Sequence, residues 1–290
     1  MTKTAIMTKK LVESSIMIAF ATVLSLFKLI DMPYGGSVTL ASMLPMVIVS
    51  YRHGAVWGFG SGAVYAAIQQ LLGLNNLSYV TGWQSVLAVI MLDYMLAFIA
   101  VGLGGTFRGA LRRIASDEAI AQGRELALGM ILVCAVRYIF HTVAGATVWA
   151  GLSIPSTAAL AYSLGYNATY MVPETVVNTL VALYLGGLVD FSKLLPTRFT
   201  AVETSRQAIG AKGLSKSLVY LASAVLSGAV IADTVIIFPH LQDRENGEFS
   251  FAYLSEVSWN SVIIVSAVCV AVAVCLFIWA KLNAKKSSAE

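Results

Sequence analysis

The stretch QSVLAVIMLDYMLAFIAVGLGGT, residues 84–106, is long and apolar enough to cross a bilayer, yet it carries a carboxylate, Asp93, near its middle. An ionisable group in hydrocarbon is costly and usually marks a substrate or ion path. Asp93 lies about ten residues into the run, so it must meet a cation, a strong donor or water, or stay protonated. The next apolar run holds Arg137 and His141, and beyond it come Trp149, Tyr162, Tyr166 and Asn167. These residues with Tyr94 form the candidate site.

The rest of the chain agrees with a membrane setting. It is 58% hydrophobic and 12% charged over 290 residues, with a mean hydropathy of +0.79, which excludes a soluble globular domain of this size. Apolar runs fall at about 12–31, 38–51, 54–73, 84–106, 127–150, 169–189, 217–238 and 259–281, giving eight expected spans, the second being short. Gly35-Gly36 before it marks a bent or tilted start. With the N-terminus inside, nearly every Lys and Arg falls on inner segments; only Lys28, Arg137 and Arg244 do not. That bias predicts a multi-pass protein of the cell membrane, N-in and C-in, and argues against reading the net charge of +4 as a nucleic-acid signal. The polar stretch 190–215 divides six spans from two. The expected organisation is a substrate-binding six-helix domain over 1–195, a cytoplasmic linker over 196–215, and a transmembrane hairpin with tail over 216–290.

Several chemistries have no footing here. Nothing matches GxxxxGK[ST], HExxH, GxSxG or an EF-hand, so ATP would have to be used by another subunit. His53, His141 and His240 are too scattered for a metal site, and Cys134, Cys269 and Cys275 lack metal or disulfide spacing. No cofactor and no metal are expected in this chain. Matched pairs of broken, half-length spans, as inverted-repeat carriers often show, are not visible either.

Within the candidate site, Arg137 and His141 are four residues apart and share a helix face, with Trp149 about 12 Å nearer the outer end. Arg137 or a cationic ligand is the candidate partner of Asp93. Trp57, Trp83 and Trp259 read as interfacial belt residues. Trp149 differs in company, because it precedes a segment, read as an outer loop over 151–168, holding Tyr162, Tyr166 and Asn167. A carboxylate, several ring faces and an amide suit a flat, partly cationic heteroaromatic ligand. Glu174 follows Pro173 and reads as a first-turn residue of the sixth span, stabilised there by the helix N-terminus. Asp233 reads as a charge facing the outer loop that also carries Asp243, Glu245, Glu248 and Glu256.

The segments GGSVTLASMLP (35–45), LDYMLAF (92–98), RYIFHTVAGATVW (137–149) and YSLGYNATYMVP (162–173) resemble the thiamine-binding S components of energy-coupling factor transporters, the ThiT or YuaJ family, over roughly residues 11–195. The resemblance implies an all-α integral membrane protein, a six-helix S-component bundle to which this chain adds the C-terminal two-helix hairpin. It also implies a subunit that captures thiamine from outside. Transport partners would be a transmembrane coupling subunit and two ATPase subunits, within membrane lipid. By position, Asp93 would meet the thiamine cation with Tyr94 beside it. His141, Trp149, Tyr162 and Asn167 would line the pocket, Asn167 bonding the aminopyrimidine. Tyr65 stands at an aromatic position of the site rim, whereas Gly36 replaces a lid-loop Trp of some members. Ser15 and Ala19 match a small-xxx-small surface on the first helix and are the expected partner-docking residues. The competing readings are an S component for a related pyrimidine or other flat vitamin, a stand-alone cation-coupled carrier, and a membrane enzyme using Asp93 and His141 as an acid–base pair.

Overall fold

The computed structural model describes residues 2–112, 115, 117–149, 156–199, 206–241, 243–244 and 250–289. Two compact units divide the chain, Met1–Thr197 and Arg198–Glu290. The first contains helices α1 (Lys3–Leu26), α2 (Leu44–His53), α3 (Ala55–Leu72), α4 (Trp83–Gly105), α5 (Glu118–Thr147) and α6 (Thr157–Leu188). Between α1 and α2 lies a β-hairpin of β1 (Lys28–Asp31) and β2 (Ser37–Thr39). The second contains α7 (Arg206–Ile237) and α8 (Trp259–Ala289). The fold is therefore that of a mostly helical, multi-pass membrane protein. Five stretches, α4, α5, α6 and the spanning parts of α7 and α8, are long and apolar enough to cross a membrane.

Several boundaries differ from the sequence reading, each for a local physical reason. Helix α1 starts earlier than the apolar run, where Thr2 accepts from the Ala5 N–H, and stops at Leu26 rather than reaching 31. The chain then turns back on itself. Tyr34 and Gly35 take positive φ, and the Met32 N–H donates to Gly36 O at 2.7 Å. The expected second span over 38–51 is consequently only a ten-residue helix, α2, about 15 Å long and too short to span alone. Helix α6 begins at Thr157, where Ser156 caps it by accepting from the Ala159 N–H at 3.1 Å. Residues 157–168, read as loop, are helical, and Pro173 sits inside the helix rather than at its start. Membrane helices tolerate such a proline because neighbours re-satisfy the freed backbone. Helix α7 likewise extends into the stretch read as linker.

Close helix approach in the first unit is made by glycines. A Cβ on Gly129 of α5 would sit 2.0 Å from Gly104 O of α4, and one on Gly186 of α6 would sit 2.8 Å from Gly123 Cα of α5. Small residues allow this contact where no hydrophobic effect drives helices together. In the second unit Ser266 of α8 donates to Asp233 of α7, and Ser215 donates to Ala280 O at 2.9 Å. Asp233 thus lies within the hairpin rather than facing the loop, because the serine on the facing helix supplies a donor. Arg244 pairs with Glu256, while Glu245 and Glu248 lie outside the described residues. Ile263, Ile264, Val268 and Ile278 of α8 are exposed, as a hydrocarbon solvent permits.

The end of the first unit remote from its β-hairpin is basic and tightly bonded. Glu125 of α5 is fully buried, accepting from the Tyr51 hydroxyl at 2.7 Å and the Leu111 N–H at 3.0 Å. Arg52 pairs with Glu13 and donates to the carbonyls of Phe191, Lys193 and Leu194. Tyr51→Phe removes one partner from a buried carboxylate and is expected to cost about 1–3 kcal/mol of stability. Thermal unfolding in detergent checks this; an unchanged midpoint would show that the bond contributes nothing.

Candidate functional site

Asp93 stands in a π-helical stretch of α4, Ile90–Leu96. Such wide turns break the 3.6-residue phase and concentrate at functional sites. Both carboxylate oxygens are held from α5 and its C-terminal turn. His141 Nδ1 lies 2.9 Å from Oδ1, and the Trp149 indole N–H donates to Oδ2 at 2.9 Å. An ionised carboxylate offers only lone pairs, so against that form of Asp93 the donor is His141 Nδ1. The other ring nitrogen, Nε2, is buried and has no hydrogen-bond partner among the described residues. Asp93 and His141 side chains are 14% and 11% exposed, so the pair is dehydrated but not sealed.

Aromatic rings surround this pair. On α6, Tyr162, Tyr166 and Tyr170 recur every four residues and so form a stripe on one face. Tyr162 and Tyr166 are parallel with centroids 6.5 Å apart, Tyr170 meets Tyr166 edge-on at 5.8 Å, and His141 lies 6.2 Å from Tyr170. Tyr34 closes the group from the hairpin, with Tyr79 at 5.2 Å, Trp149 at 6.3 Å and Tyr166 at 6.4 Å. The Gly36 N–H donates to the Tyr166 hydroxyl at 3.3 Å. Any side chain at Gly36 would collide with Tyr170, since a Cβ there would lie 2.7 Å from its ring. The glycine therefore lets the hairpin lie directly against the tyrosine stripe.

The structure brings Asp93, His141, Trp149, Tyr162, Tyr166 and Asn167 into one region and separates other expectations from it. The Asn167 amide is 3% exposed and bonds within α6, donating to Ser163 O at 2.8 Å and accepting from the Tyr170 hydroxyl at 2.6 Å. Tyr94 turns away from Asp93. Its hydroxyl accepts from Asn76 at 3.0 Å and donates to Gly73 O at 3.2 Å, while its ring packs with Val89 and Val148. Tyr65, expected at the rim, is fully buried against Phe98 at 5.5 Å, because α3 turns that face inward. Ser15 and Ala19 are exposed on α1.

Arg137, a candidate partner of Asp93, makes no ion pair with it. The guanidinium is 4.6 Å from the Phe98 ring centroid, and the side chain is buried at 7% exposure. It lies within electrostatic reach of Glu174. Glu174 is itself 3% exposed in mid-helix, accepting from the Thr39 N–H at 2.6 Å and the Thr39 hydroxyl at 2.8 Å. It is therefore a tie between α6 and the base of the hairpin rather than a first-turn residue, since α6 starts seventeen residues before it by the bounds Thr157–Leu188. Sequence reasoning missed Tyr34, Tyr79 and Tyr170. The four-residue recurrence of tyrosines from Tyr162 was the available signal for the last, had 157–168 been read as helix.

Comparison with known proteins adds an independent line. The family Thia_YuaJ, described as thiamine transporter protein, matches residues 11–190. Thiamine transporter ThiT of Bacillus subtilis is 31% identical over 181 residues, covering 61% of this chain and 89% of that protein. Thiamine transporter ThiT of Lacticaseibacillus paracasei is 25% identical over 179 residues, covering 59% of this chain and 83% of that protein. A solved structure of ThiT from Listeria monocytogenes aligns with a TM-score of 0.49 at 23% identity, covering 61% of this chain and 92% of that one. The family match ends at residue 190, before α7 and α8.

Proposed function

The chain belongs to the thiamine transporter family Thia_YuaJ, and from that membership we propose that it captures thiamine at the Asp93 site and delivers it with an ATP-driven partner complex. The observation that carries the site assignment is Asp93 itself, a carboxylate with both oxygens already oriented by His141 and Trp149 and with rings on several sides. Thiamine joins a thiazolium cation to an aminopyrimidine. A carboxylate that is dehydrated and fixed before the ligand arrives loses little further freedom on binding, so more of the attraction to the cation survives as affinity. The tyrosine and tryptophan faces supply stacking and cation–π contact. The lone pair of His141 Nε2 offers an acceptor to a ligand N–H or O–H.

This reading assigns the chain no chemistry of its own. On this reading binding occurs at the β-hairpin end of the first unit and from outside, and the basic bias of the opposite end supports an inner position for the N terminus. A transmembrane coupling subunit and two ATPase subunits would supply the energy, docking on α1 where Ser15 and Ala19 are exposed. The test of capture is quenching of intrinsic tryptophan fluorescence by thiamine in the purified, detergent-solubilised protein. Trp149→Phe removes both the donor to Asp93 and part of the stacking surface, and its Kd is expected to rise roughly tenfold, about 1–2 kcal/mol. Saturable quenching by other pyrimidines but not thiamine would transfer the site to a related heterocycle. Proteoliposomes holding this chain alone should not accumulate thiamine; if they do, the carrier reading replaces the partner-driven one.

A further inference from the structure

At the basic end of the first unit, two adjoining cavities differ sharply in character. The smaller, about 160 Å³, is lined by Lys9, Lys10, Arg52, His53 and Lys193 among others. The larger is an open groove of about 790 Å³ beside α1, with Val12, Ile16, Met17, Leu194 and Leu195 among its lining. Lys9 and Leu194 border both, so the basic cavity adjoins the apolar groove. Leu194 and Leu195 are 61% and 70% exposed beside these cations.

The charges in the small cavity do not cancel. Arg52 pairs with Glu13, His53 also faces Glu13 at 3.2 Å, and Lys193 lies 3.6 Å from Asp190. Lys9 donates to Leu194 O, and Lys10 sits 5.6 Å from the Trp57 ring centroid. Neither lysine has a carboxylate ion-pair partner among the described residues. Trp57, held by Ser14 at 2.7 Å, is a residue type that settles at headgroup depth. From Lys9 to Met17 the groove follows α1 for about 12 Å, most of the roughly 15 Å of hydrocarbon in one leaflet.

We propose that this junction binds an anionic phospholipid, its phosphate against Lys9 and Lys10 and one acyl chain along the groove beside α1. Two uncompensated lysines beside an apolar channel match the two parts of such a lipid, and basic pockets between membrane helices are a recognised lipid-binding device. The lipid would lie beside the exposed Ser15 and Ala19, at the edge of the surface assigned above to a partner.

Native mass spectrometry of the full chain in detergent, with equimolar phosphatidylglycerol and phosphatidylcholine, tests this. Wild type is expected to retain phosphatidylglycerol with a preference of about tenfold or more. The double variant Lys9→Gln, Lys10→Gln is expected to lose that preference, whereas Lys281→Gln on α8 keeps it. Water-soluble glycerol phosphate should not compete, because it lacks the chain that fills the groove. Equal retention of both lipids by wild type, or an undiminished preference in the double variant, overturns the proposal, as would full competition by glycerol phosphate. Equal lipid retention would return the groove to a protein helix or bulk lipid. Thiamine titration of the same double variant reads the Asp93 site separately, so failure here and failure of the capture reading are distinguishable.

Discussion

Asp93→Asn is expected to weaken thiamine binding by about 3 kcal/mol, roughly 150-fold in Kd, while the protein stays folded. The argument rests on what each oxygen of Asp93 does. His141 Nδ1–H and the Trp149 indole N–H approach different oxygens, each at 2.9 Å. An amide replaces one acceptor by a donor, so one of the two contacts becomes a donor facing a donor. The ligand cation then meets a neutral group in a site where water screens little. Asp93→Glu keeps the charge and should retain much of the affinity, separating charge from reach. Fluorescence titration measures both variants, with thermal unfolding as the check on folding. A Kd for Asp93→Asn within about threefold of wild type would remove the carboxylate from the binding site and leave it as an internal acceptor for His141 and Trp149.

Glu174→Ala is expected to destabilise the first unit by about 3–5 kcal/mol, the cost of leaving buried partners without their carboxylate. Three groups depend on Glu174. The Thr39 N–H and hydroxyl donate to it at 2.6 and 2.8 Å, and the buried Arg137 guanidinium lies within its field. Glu174→Gln retains an acceptor for Thr39 but not the charge, so its loss should be smaller. Because β2 ends at Thr39, the effect should also be local. Amide hydrogen exchange in Ser37–Thr39 is expected to accelerate in the alanine variant more than exchange in α4. An unfolding midpoint within about 2 °C of wild type would show that the buried carboxylate is not what fastens the hairpin to α6.

The legible parts of the site were those fixed by short-range rules. Asp93 stood out because a charge in an apolar run is recognisable without any partner, and His141 and Trp149 followed from their place in one apolar run, 127–150. The illegible parts depended on partners far along the chain. Residues 157–168 are polar and aromatic enough to read as loop, yet Ser156 caps a helix there and Tyr166 meets the β-hairpin, and the helix puts Tyr162, Tyr166 and Tyr170 on one stripe. Tyr34 entered the site only through a turn whose positive φ values no apolar pattern records.

The sequence by itself determined a multi-pass helical membrane protein with a charged, aromatic site, because hydrophobic run length and the types of residue within a run are properties of the chain alone. Which group faces Asp93 was decided only by tertiary structure. Spacing left Arg137 and a cationic ligand as candidates, but the π-helical stretch bonds i to i+5 rather than i+4 and resets which residues share a face. That rotation, with the packing of α4 on α5, gives Asp93 to His141 and Trp149 and sends Arg137 to Phe98 and the neighbourhood of Glu174.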